Sequence, residues 1–61
     1  MKINDLAPMV YTKLPIVVTS LKEVGFYFEM SSSDLKLNLE LGEREIDMVI
    51  PRADRITIYV K

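Results

Sequence analysis

The sequence predicts an α+β domain in which a short N-terminal helix is followed by a four- or five-stranded antiparallel sheet. Three observations carry this expectation. Leu35-Lys36-Leu37-Asn38-Leu39-Glu40-Leu41 alternates apolar and polar residues without a break, as the side chains of a half-buried strand do. The stretch from Arg55 to Lys61 alternates as strictly, turning Ile56, Ile58 and Val60 one way and Arg55, Thr57, Tyr59 and Lys61 the other. Pro15-Ile16-Val17-Val18-Thr19 gathers β-branched residues, which suit a pleated surface. The connections between such runs are too short for a parallel crossover, so the strands are expected to be antiparallel.

In chain order, Asn4 reads as a helix cap, and Ile3, Leu6, Ala7 and Val10 form one apolar stripe. Pro8 falls early enough in that helix for its missing N–H to cost little, and the helix is expected to end near Tyr11 or Thr12. The first strand follows, then a turn at Ser20-Leu21-Lys22-Glu23. Val24 to Met30 is expected to turn Val24, Phe26, Phe28 and Met30 to one side and Gly25, Tyr27 and Glu29 to the other. Ser31-Ser32-Ser33-Asp34 has the chemistry of turns and caps. The leucine strand comes next, with a rival helix over Leu35–Leu41, capped by Ser33 or Asp34 and stopped at Gly42. Glu45 to Ile50 alternates again, setting Ile46, Met48 and Ile50 together, and Pro51 ends it.

Either way the four leucines are expected to be buried, and Leu37→Asp to abolish folding or assembly. So many apolar side chains on one sheet face exceed what a two-turn helix covers. The sheet is therefore expected to curl into a small barrel, or to pack against a second copy as a homo-oligomer.

The chain of 61 residues, with 49% hydrophobic and 28% charged residues, has the composition of a single globular domain, residues 1–61. A domain this small buries only about 60% of the surface of its unfolded chain, and there is no cysteine for a disulfide. A net charge of −1 supplies no overall field toward nucleic acid or acidic lipid. No apolar run approaches the roughly 20 residues of a membrane span. A soluble, cytoplasmic protein without cofactor or membrane partner is the expectation.

The chain lacks both cysteine and histidine, so Ser31, Ser32 and Ser33 have no recognisable activating base, and they read as a turn rather than as nucleophiles. Glu43, Glu45 and Asp47 read as a solvated acidic face rather than a metal site. With no catalytic set and no metal set, the expectation is a binding protein and not an enzyme. The candidate binding residues are Arg52, Arg55 and Tyr59, with Tyr27 extending the aromatic surface, because guanidinium and phenol together receive a phosphate, a nucleotide or an acidic partner. The competing structural reading pairs the two arginines with Asp54, Glu45 or Asp47.

Met1-Lys2-Ile3-Asn4-Asp5-Leu6, Glu43-Arg44-Glu45-Ile46 and Asp54-Arg55-Ile56-Thr57-Ile58-Tyr59-Val60 resemble small early or accessory proteins of bacteriophages and prophages. Pro8 and the regular leucine segment depart from that pattern. The resemblance implies a phage protein acting in the host cytoplasm, in a group that includes inhibitors of host enzymes, inhibitors of bacterial defence and sequesterers of nucleotide signals. It transfers no site residue. The functional expectation is a homo-oligomeric binding protein that occupies a host protein or a small anionic, nucleotide-like ligand. A nucleic-acid-binding protein using Arg52, Arg55, Lys61, Tyr27 and Tyr59 is one alternative, and a structural subunit of an assembly is another.

Overall fold

The computed structural model describes residues 1–61. The elements in order are α1 (Ile3–Leu6), a 3-10 turn (Ala7–Met9), β1 (Ile16–Ser20), β2 (Tyr27–Met30), α2 (Ser32–Leu37), α3 (Leu39–Gly42), β3 (Ile46–Pro51) and β4 (Ile56–Val60). The sheet has four strands in the order β2-β1-β4-β3. The α+β expectation holds at that level, and its detail needs correction. β1 pairs antiparallel with β2, and β3 with β4, but the two central strands run parallel, with Ile16 opposite Ile56 and Val18 opposite Ile58. The sheet is therefore mixed, and with β2 and β3 as free edges it is not a barrel. Short connections constrain only strands adjacent in sequence. The path from β1 to β4 runs through β2, both helices and β3, which is ample length for a parallel return.

One layer of helix covers one face of this sheet. Ile16, Val18, Ile58 and Val60 from the central strands meet Ile3, Ala7, Leu35 and Leu41, with Leu6, Val10, Phe26, Met30, Ile46 and Ile56 packed around them. The N-terminal stripe is thus as expected, while its cap is not. Lys2 is the capping position, the Asp5 carboxylate accepts from the Lys2 backbone N–H at 3.0 Å, and Asn4 lies inside the helix, which gives way to the 3-10 turn ending at Met9. The segment is tied to β3 by the Ile46 N–H donating to Met1 C=O (2.8 Å) and the Ile3 N–H donating to Arg44 C=O (3.0 Å). Only ten of the 61 residues are buried and none is polar or charged, so each core contact carries a large share of the stability.

The leucine segment is the largest correction: it is two short helices and not a strand. The Ser31 hydroxyl accepts from the Asp34 N–H at 3.1 Å and starts α2, two or three residues earlier than Ser33 or Asp34 would. The chain then opens at Asn38, whose side-chain carbonyl accepts from the Leu41 N–H at 2.9 Å and starts α3. Both are N-caps, satisfying donors that a helix start leaves free. Leu35 and Leu41 are buried, but Leu37 and Leu39 are 78% and 82% exposed, so the four leucines do not share a dry face. The apolar sheet face is covered by this segment itself, which removes the excess of apolar surface as an argument for a barrel and equally for a second copy packed on that face.

Two smaller departures have local causes. A bulge between Ile46 and Met48 inserts Asp47, so Ile46 stays on the covered side, Met48 and Ile50 turn to the opposite face with Tyr59 and Thr57, and Val49 comes to lie with Ile58. In the β1–β2 turn, Gly25 takes φ +84°, which glycine adopts without strain, and the strand begins only at Tyr27, leaving Val24 fully exposed. No helix of the chain is long and apolar enough to cross a membrane.

Candidate anion-binding site

The second face of the sheet has no covering layer. Alternation along β4 turns Thr57 and Tyr59 to it, together with Arg55 just before the strand, as the sequence predicts. The register places Ile50 beside Thr57 and Met48 beside Tyr59. At its β3–β4 end, the loop Arg52–Arg55 is closed by the Arg52 N–H donating to the Arg55 C=O at 2.8 Å. The closed loop and the strands behind it enclose an open depression of about 330 Å³, lined by Ile50, Arg52, Asp54, Arg55, Thr57 and Tyr59.

Three of the four candidate residues, Arg52, Arg55 and Tyr59, therefore line one depression, although nothing in the chain's local pattern places Arg52 there. Tyr27 does not join them. It lies in the same row across the sheet, opposite Thr19 and through it Tyr59, two strand spacings or about 10 Å away. Lys61, at the far end of β4, turns to Glu45 (3.6 Å) and stands outside the site.

The charges of the depression are unequal in their commitments. Arg55 donates to the Asp54 carboxylate at 3.1 Å. That hydrogen bond and the opposite charge hold Asp54 below the ordinary carboxylate range and raise Arg55 above its usual value, with smaller contributions from Tyr27 and Glu29 to the latter. Arg52 forms no ion pair and makes no side-chain hydrogen bond, so one guanidinium is free beside one that is already paired. The structural reading of the two arginines is thus half right: it accounts for Arg55 and not for Arg52. Of the other two carboxylates offered as partners, Glu45 pairs with Lys61 (3.6 Å) and Asp47 forms no ion pair.

Such a site has the groups to bind an anion. A phosphate or carboxylate approaching Arg52 gains a charge-assisted hydrogen bond, and recruits Arg55 only by displacing Asp54. Tyr59 and Ile50 supply the apolar wall on which a planar group can rest.

A second feature was not legible in the sequence. The Arg44 guanidinium stacks 4.5 Å from the Phe26 ring centre while donating to Glu23 at 2.9 Å, and Phe28 meets Phe26 edge-on at 5.1 Å. Phe26, Phe28 and Arg44, with Asn38, Glu40 and Leu41, line a cleft of about 120 Å³ at the β2 side of the molecule. Phe26 and Arg44 meet only because the helical segment folds back over β2, and no local pattern announces such a pair. Comparison with protein-family models, with curated proteins and with solved structures finds no match to this chain.

Proposed function

We propose that the chain is a non-enzymatic binding protein that captures a small anionic, nucleotide-like ligand at Arg52, Arg55 and Tyr59. The observation that supports this reading most directly is the unpaired Arg52 guanidinium beside the Asp54–Arg55 pair, in a depression with an aromatic wall. The phage resemblance agrees with it, since removing a nucleotide signal or blocking a host factor is a task for a small binding protein acting as an oligomer, as an inhibitor of host defence does.

Melting curves recorded with adenosine diphosphate and with inorganic phosphate test the reading. A ligand at a hundred times its Kd adds about 2.7 kcal/mol to the folded state, which in a domain of this size raises the Tm by more than about 10 °C. Arg52→Ala should abolish the shift, and Asp54→Asn should enlarge it by releasing Arg55. Absence of a shift with either probe in the wild type would overturn the anion reading.

A further inference from the structure

We propose that two copies of the chain join edge to edge through β2, in an antiparallel register centred on Phe28. This rests on the reading of the chain as a homo-oligomer and names its interface, on the opposite border of the sheet from the arginine loop.

The direction of the backbone groups along β2 follows from the ladder. The Ile56 N–H donates to the Pro15 C=O, so Ile56, Ile58 and Val60 bond toward β1, and Val17 and Thr19 bond toward β4. Ile16 and Val18 then bond toward β2, where they face Met30 and Phe28. That leaves the N–H and C=O groups of Tyr27 and Glu29 pointing outward, with no strand beyond them. The other edge is blunted. By the same alternation Val49 and Pro51 point outward from β3, and Pro51 has no N–H, while the bulge at Asp47 breaks the line. β2 carries no proline, no bulge and no lysine, and it exposes Tyr27 and Phe28.

Three symmetric registers would match outward groups of one β2 with those of another. Centring on Glu29 sets two carboxylates opposite each other, which is repulsive. Centring on Tyr27 draws Gly25 into the ladder, where its φ of +84° does not fit. Centring on Phe28 pairs Tyr27 with Glu29 of the second copy and Glu29 with Tyr27, each pair exchanging both backbone hydrogen bonds and setting a phenol hydroxyl against a carboxylate. On the covered side the same register sets Phe28 against Phe28 and Phe26 against Met30, an aromatic pair flanked by sulfur–aromatic contacts. The result is one continuous sheet built from two four-stranded halves.

Amide exchange and solution mass test this on the intact chain and on two variants. The Tyr27 and Glu29 amides have no partner within one chain, so their exchange should be slow at high protein concentration and fast on dilution. The wild-type mass should be twice 7.0 kDa. It should halve in Glu29→Pro, which removes an outward N–H without touching the β1 ladder, and in Phe28→Lys. A monomeric wild type would overturn both the interface and the oligomer reading. A wild-type oligomer whose Tyr27 and Glu29 amides exchange freely at every concentration would overturn the β2 interface and leave the oligomer reading standing.

Discussion

Leu35–Leu41 and Ile56–Val60 each place an apolar residue at every second position, yet the first is a pair of helices and the second a central strand. The difference lies in the shape of the side chains and in what flanks them. Ile56-Thr57-Ile58-Tyr59-Val60 consists wholly of β-branched and aromatic residues, which lose freedom in a helix and pack well on a sheet. The leucine segment has no residue branched at Cβ, and leucine, lysine and glutamate are good helix formers. It is also supplied with two caps, Ser31 before it and Asn38 within it. Alternation says which residues are apolar, but branching and capping decide the period at which they are used.

Four measurements probe that contrast. The largest effect belongs to the strand: Ile58 is fully buried at the centre of the sheet, and Ile58→Ala should cost about 2–5 kcal/mol by denaturant unfolding. A loss under about 1 kcal/mol would mean that the core closes around the gap. Next comes the cap between the two helices. Asn38→Ala should cost about 0.5–2 kcal/mol and loosen the Leu41 amide in hydrogen exchange, whereas an unchanged Leu41 amide would show that α3 stands without its cap.

Leu37→Asp, which a buried leucine strand would not survive, should now change the stability of the monomer by no more than about 0.5 kcal/mol, measured in the Glu29→Pro background so that assembly does not intervene. Unfolding of that double variant, with Glu29→Pro alone intact, would return Leu37 to the core. The smallest effect is at the head of the last strand. Because Asp54 titrates below its ordinary value of 3.8, the stabilisation from its pairing with Arg55 is complete above that value and is lost as pH falls through the lower, folded-state value. The Asp54 carboxyl resonance should follow this titration, and Arg55→Ala should move it up toward the ordinary range.

Much of the fold can be read from local pattern where neighbours along the chain carry the information. The branched run of β1, the inward and outward sets of β4, the Ile3, Leu6, Ala7, Val10 stripe and the capping chemistry of Ser31 are all of this kind. The covered and open faces of β4 follow from them, and so does the presence of Arg55 and Tyr59 on one surface. What escapes local pattern depends on partners distant in sequence. The bulge at Asp47 sends Met48 and Ile50 to the open face, and only pairing with β4 reveals it. Arg52 reaches the depression because its loop is closed on Arg55, and Arg44 finds Phe26 because the helices fold back over β2.

By itself, then, the sequence determined a small α+β domain, the faces of its central strands, and the presence of Arg55 and Tyr59 on one surface, since these follow from side-chain chemistry and short-range alternation. The tertiary structure decided the parallel pairing of β1 with β4, the helical state of the leucine segment with Leu37 and Leu39 in water, and the contrast between a blunted β3 edge and an open β2 edge. Each of these turns on which strand lies beside which. Strand order is set by how the whole chain buries its apolar side chains, and no single stretch contains it.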